Sequence, residues 1–266
     1  MAVLRQNRDM AAAGRGHGAG TVGAMTKTFV LGLVLLTAAC STAACSTATE
    51  PPPGPGLSKV LLMGDSIAAG EALPLAEALD ASGVTFESIA SDGGGNVVGP
   101  FSPENWRTLP ERIESARPDV VVYQLTTYDW GSREEQRAGY RRLLTTVTGV
   151  GARLVFVTAP PIRPDDFYRP HMADLDRAPA VAREVASSGK ATVLDASAVW
   201  GGTYQRVRDG KADRGADGVH TCPQGAARFT DWLLHELATL YPGFTPATAR
   251  RWANTGWSAD IHFRGC

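Results

Sequence analysis

Residues 59–70 read KVLLMGDSIAAG, an apolar run that breaks at Gly64-Asp65-Ser66 and passes into small residues suited to a helix. The run lacks apolar/polar alternation, which suits a strand buried on both faces. A strand feeding a helix through a glycine turn is the opening unit of a βαβ fold. The same pattern recurs further along the chain. Val- and Leu-rich runs stand at residues 84–90 (VTFESIA), 119–125 (DVVVYQL), 153–159 (RLVFVTA) and 191–196 (ATVLDA), with amphipathic stretches between them. In residues 132–148, Tyr140, Leu143, Leu144 and Val147 share one helical stripe, and Ser132 with Glu135 has capping-box spacing. Residues 223–240 open on Pro223, favourable at a first helical position, and carry Phe229, Trp232, Leu233 and Leu237 on one face. Five alternations predict an α/β fold with a five-stranded, doubly wound parallel sheet and a site at the carboxyl ends of its strands.

The 266 residues are 44% hydrophobic and 20% charged, enough for one packed domain and an export segment but tight for two domains. Without residues 1–39, which hold four basic residues and one acid, the formal charge moves from -1 to -4. A mildly acidic body with no basic run offers nothing to a phosphate backbone, so nucleic acid is excluded as a partner.

Residues 29–39, FVLGLVLLTAA, form an apolar run of signal-peptide length ending at Cys40. A cysteine after two small residues resembles the lipobox of bacterial lipoproteins, so Cys40 is the expected lipidation site. Thr37 stands where that motif usually has Leu, and Cys45 repeats the pattern without an apolar run. Plain secretion and an uncleaved anchor stay open as alternatives. Met25 offers a conventional start, leaving residues 1–24 as an extension. The expected organisation is a signal segment at 1–39, a Ser/Thr/Pro/Gly tether at 40–57, a folded domain at 58–241 and a tail at 242–266 packed on it. The location implied is the outer face of the cell membrane, or outside the cell. Two further cysteines, Cys222 and Cys266, are expected to pair as a disulfide in an oxidising compartment. No Cys/His cluster has metal-ligand spacing, and no metal site is expected.

Ser66, at a strand-to-helix turn, is placed at the sheet edge with a helix N-terminus behind it, where developing negative charge is favoured. It is not the Gly-x-Ser-x-Gly elbow, since Ala68 stands two residues on. A hydroxyl needs a base near neutral pH, and Asp217-Gly218-Val219-His220 offers an imidazole with a carboxylate three residues before it. Each motif alone also reads as an ordinary turn. Together they flank the first strand and the last helix, at one edge of the sheet.

These two blocks, GDSIAAG at 64–70 and DGVHTCPQG at 217–225, resemble the first and last motifs of the SGNH (GDSL-like) hydrolase superfamily, over roughly residues 60–240. The resemblance implies a flavodoxin-like three-layer α/β/α sandwich without a cofactor, with Ser66 as nucleophile, His220 as general base and acid, and Asp217 as its orienting carboxylate. It also implies an oxyanion-hole glycine after the second strand, best aligned to Gly93 with Gly94 beside it. After the third strand the family has Gly-x-Asn-Asp, whereas this chain has Thr126-Thr127-Tyr128-Asp129, so Tyr128 stands at the asparagine position. Two roles are open to Tyr128: an oxyanion donor through its hydroxyl, or an aromatic wall of the pocket together with Trp130. The LTTYDW (125–130) and VTAPP (157–161) segments are similar to the SGNH domains of actinobacterial envelope acyltransferases.

The function expected is a serine esterase or O-deacylase acting on an ester substrate carried by an envelope glycan or lipid, as a monomer reaching the membrane through its lipid anchor. An acyltransferase using the same three residues, or a silent carbohydrate-binding lipoprotein, is the alternative. Asp65 is expected to support the turn; the proline-rich loop at 160–170 reads by default as a solvated loop, and as a wall of the substrate cleft Arg163 and Tyr168 would be its contacts. His171, His235 and His262 show no partner at a telling spacing.

Overall fold

The computed structural model describes residues 56–266. The signal segment, Cys40 and the tether up to residue 55 lie outside the described residues.

Five strands form one parallel sheet: β1 (Lys59–Met63), β2 (Thr85–Ser88), β3 (Val120–Gln124), β4 (Arg153–Val157) and β5 (Ala191–Leu194), in the order β2-β1-β3-β4-β5. Val60 lies opposite both Phe86 and Val120, Val121 opposite Leu154, and Phe156 opposite Val193. The helices are α1 (Ser66–Ala81), α2 (Ser102–Ala116), α3 (Arg133–Gly149), α4 (Met172–Ala186), the single turn α5 (Ser197–Trp200) and α6 (Pro223–Leu240). Both sheet faces are covered, which is why the strands read as unbroken apolar runs. Val60, Leu62, Val120, Val122, Val155 and Val157 pack with α1 and α6, while Leu61, Met63, Val121, Tyr123, Leu154 and Phe156 pack with α2, α3 and α4. Each such side chain, wholly buried, contributes roughly 1.5–3 kcal/mol relative to leaving it in water. The expected flavodoxin-like sandwich with a five-stranded parallel sheet is the observed fold.

Local signals set the helix ends. The Ser132 hydroxyl accepts from the Glu135 amide at 3.3 Å while the Glu135 carboxylate accepts from the Ser132 amide at 2.6 Å, closing the capping box. Pro223 opens α6, where a missing N–H costs nothing. A short hairpin, β6 (Val207–Arg208) and β7 (Lys211–Ala212), turns through Asp209 and Gly210, both at positive φ. It lies outside the expected strand pattern. From it the chain runs through Arg214, bridged to Thr221, and delivers His220 just before α6. The tail returns over the α1 side, burying Phe244, Trp252 and Phe263. Cys222 and Cys266 have their sulfurs at disulfide distance, 2.04 Å.

The strand order reverses between β1 and β3, and a crevice opens outside their carboxyl ends at such a point. Residues 64–66 follow β1 there and residues 125–130 follow β3.

Candidate active site

Ser66 is the first residue of α1, so its amide has no partner within the helix. Asp65 caps the helix. Its Oδ1 accepts from the Ile67 amide at 3.0 Å, and its Oδ2 accepts from both the amide and the hydroxyl of Thr127 at 2.7 Å. One buried carboxylate thus ties the turn after β1 to the loop after β3. Burial pushes the Asp65 carboxyl above its usual range, opposed by the Thr127 and Ile67 donors. Asp65 was expected to support the turn, and it does so with both oxygens.

The Ser66 Oγ lies 2.8 Å from His220 Nε2, and His220 Nδ1 lies 2.8 Å from Asp217 Oδ2. The structure therefore brings together three side chains from the two ends of the domain. Asp217 Oδ1 accepts from the amides of Val219 and His220 at 2.8 and 3.0 Å, so one carboxylate shapes its own turn and orients the ring. Burial raises the Asp217 pKa, but these two amides and the His220 ring outweigh it, and the carboxyl sits below its usual range. A charged carboxylate beside Nδ1 favours the tautomer that carries its proton there and leaves Nε2 as an acceptor. The imidazole is 42% exposed and the Asp217 side chain 51%, so water reaches the pair.

Arg214 and Arg163 hold the His220 segment, and neither role was legible from residue type. Arg214, 2% exposed, donates to the carbonyls of Pro161 (2.8 Å), His220 (3.3 Å) and Val219. Arg163 was a candidate substrate contact. Its guanidinium instead donates to the Ala216 carbonyl at 2.6 Å and its amide to the Gly218 carbonyl at 2.8 Å, bracing the turn that carries Asp217.

The loop after β2 carries Gly93 and Gly94. Gly93 is exposed, and a Cβ there would meet nothing within 4 Å; a Cβ on Gly94, at φ +106°, would come 3.1 Å from the Phe101 Cβ. Gly95 makes the closest backbone approach of the loop, since at φ +72° its Cβ would stand 2.0 Å from the Gly64 carbonyl oxygen, in the turn that carries Ser66. Buried Asn96 anchors the far end of the loop by donating to the Val98 carbonyl at 2.5 Å and, weakly, to that of Tyr128 at 3.4 Å.

Tyr128 packs in an aromatic cluster, its ring centre 5.2 Å from Phe101, 5.6 Å from Trp130, 6.3 Å from Phe167 and 6.2 Å from Tyr168. His171 stacks flat on Trp130 at 3.6 Å, which gives this histidine a packing role. Tyr168 also packs against a small apolar cluster of Ile67, Ile162 and Val219, two of them the neighbours of Ser66 and His220, so the aromatic group forms a wall near them. Phe101 and Phe167 remain about half exposed. Trp130 continues into a groove of about 700 Å³ that includes Trp106, Glu135 and Arg142 but neither Ser66 nor His220. Asp129 lies underneath, accepting from Tyr123 at 2.7 Å and Tyr140 at 3.0 Å, its carboxyl pushed up to about 7 by burial. Of the remaining histidines, His235 is exposed on α6, and His262 faces Asp260 and Asp92.

Residues 62–228, well over half the chain, match the model of the GDSL-like Lipase/Acylhydrolase family. No curated protein matches the chain by sequence. Several solved structures share its fold at low identity. An inhibitor-bound aryl esterase of M. smegmatis is 20% identical with a TM-score of 0.52, over 69% of this chain and 99% of that one. LAE5, an alpha/beta hydrolase enzyme from the metagenome of Lake Arreo, Spain, is 16% identical with a TM-score of 0.54, over 69% and 96%. A catalytic mutant of Axe2, an acetylxylan esterase from Geobacillus stearothermophilus, is 15% identical with a TM-score of 0.50, over 68% and 94%. By the family match, the chain belongs to the GDSL-like lipase/acylhydrolase family and is an SGNH-type serine ester hydrolase.

Proposed function

We propose that this enzyme removes small acyl groups from cell-envelope glycans or lipids, with Ser66 as nucleophile, His220 as general base and acid, and Asp217 as the carboxylate that orients His220. The observation that carries the reading is the unbroken chain of two 2.8 Å contacts from Ser66 Oγ through the imidazole to Asp217. His220 Nε2 takes the Ser66 proton as Oγ attacks the ester carbonyl carbon. The resulting oxyanion accepts from the Ser66 amide and from amides of the Gly93-Gly94 loop. Collapse of the intermediate breaks the ester C–O bond, and the alcohol leaves with the proton from Nε2. Water then attacks the acyl-serine, losing its proton to His220, and the acid leaves as Ser66 recovers its own.

The exposed imidazole supports hydrolysis over acyl transfer, because a transferase must keep water from the acyl-serine. The aromatic wall supports a glycan-borne ester, since the flat apolar faces of sugar rings pack well on exposed aromatic rings. Tyr128 belongs to that wall in this reading. Turnover of p-nitrophenyl acetate by the purified protein tests the chemistry. Ser66→Ala is expected to lose at least about a thousandfold in kcat, and equal turnover by both proteins removes Ser66 from the mechanism.

The enzyme is proposed to act on the outer face of the cell membrane, held through a lipid on Cys40. The apolar run before Cys40 supports export, as does the Cys222–Cys266 pair at disulfide distance. Cys40→Ala is expected to move the protein from the membrane fraction to the soluble one; unchanged membrane retention overturns the anchor.

A further inference from the structure

His262 stands between two carboxylates. Its Nδ1 is 2.6 Å from Asp260 Oδ1 and its Nε2 is 2.9 Å from Asp92 Oδ1. A neutral imidazole carries one N–H, so it can satisfy one of these contacts while turning a lone pair towards the other carboxylate. The imidazolium donates to both. The Asp260 contact is local to the final turn of the tail, whereas the Asp92 contact joins residues 170 positions apart.

Asp92 immediately precedes Gly93. Between Ser91, whose amide donates to the Gly64 carbonyl at 3.0 Å, and buried Asn96, the loop has three glycines and hence little side-chain packing of its own. The tail that carries His262 is well seated. Phe263 is buried, a Cβ on Gly70 of α1 would lie 3.9 Å from both His262 and Phe263, and Cys266 is paired with Cys222, two residues beyond His220. The end of the chain therefore touches the nucleophile helix, the His220 segment and the Asp92 loop at once.

We propose that His262, as an imidazolium clamped between Asp92 and Asp260, is a positioning residue that holds the loop carrying Gly93 and Gly94 beside Ser66 during ester hydrolysis. The proposal rests on the catalytic reading given above. Asp92, from the loop after β2, and Asp260, from the tail itself, are the charged groups facing the ring; α1 presents Gly70 there. The hydrogen bond to Asp260 raises the His262 pKa, burial opposes it, and the bond to Asp92 raises it again, leaving it above the ordinary histidine value. A histidine with a raised value contributes fully below its unfolded value, and the contribution is lost as pH rises through the folded one. His220 has the opposite need, because it must be neutral to accept the serine proton. Activity declines on the alkaline side as the clamp is released.

The test is kcat and KM on p-nitrophenyl acetate from pH 5.5 to 9.5 for wild type, His262→Gln, Asp92→Asn and Ser66→Ala. His262→Gln is expected to run about three- to tenfold lower in kcat near pH 7, with KM little changed, and to lose the alkaline decline; this is part of the hundredfold or more at stake in an oxyanion donor. Asp92 is 74% exposed, so Asp92→Asn leaves folding intact and should reproduce the same profile. A His262→Gln profile that superimposes on wild type, with Ser66→Ala inactive, overturns the clamp and leaves the catalytic reading standing. Active Ser66→Ala overturns the catalytic reading instead. Proton NMR titration of His262 reads the clamp without turnover: its midpoint should drop by about half a pH unit or more in Asp92→Asn, and an unchanged midpoint overturns the proposal.

Discussion

Asp65 and Asp217 use the same device: one carboxylate oxygen caps its own turn and the other reaches the next piece of the site. Removing the first should therefore show in both stability and rate. Asp65→Ala loses the N-cap of α1 and leaves the Thr127 amide unpaired in a buried place, a combined cost of about 2–4 kcal/mol. It also frees the turn that aims Ser66. A fall in denaturant stability of that size, with kcat down tenfold or more, is the expected result, and an unchanged kcat would separate the cap from the site. Both carboxylates were visible in the sequence because a short turn places them two or three residues from the amides they accept. Arg214, Thr127 and His262 were not. Arg214 meets backbone carbonyls, and Thr127 and His262 reach Asp65 and Asp92 far along the chain, contacts that nothing in residue type or spacing marks; the His262–Asp260 contact, two residues apart, is local. The link from His262 to Asp92 exists only after folding.

At the level of elements, long periodic signals were readable and short ones were not. The capping box at Ser132 and Glu135 and the proline start of α6 fall at the helix ends that the sequence implied. The five strands lie within the apolar runs, since a parallel sheet covered on both faces demands continuous hydrophobicity. The β6–β7 hairpin escaped notice although Asp209-Gly210 is a favoured hairpin turn, because its flanking strands have two residues each and no alternation. The glycine loop after β2 shows a finer limit. The resemblance points to Gly93 and Gly94 as oxyanion donors, and beside them Gly95 is the glycine pressed on the Ser66 turn. Three consecutive glycines offer no internal signal of which one meets the neighbouring backbone.

Across the described residues, the two ends of the domain meet at one place. The β1–α1 corner supplies a hydroxyl, the segment before α6 supplies an imidazole, and the tail returns to α1 and to Cys222. That the two motifs share one sheet edge follows from the doubly wound topology, which puts every βα corner on the carboxyl side. The aromatic wall was legible only in part. Tyr128 and Trp130 stood out beside the expected site, whereas Phe101 and Phe167 arrive from loops after β2 and β4. Covalent labelling with a fluorophosphonate, followed by peptide mapping, reads the nucleophilicity of Ser66 itself. A stoichiometric adduct on the Ser66 peptide, slowed at least about a hundredfold in His220→Ala, is the predicted result. A folded protein that takes no label, or takes it on another residue, would contradict the account.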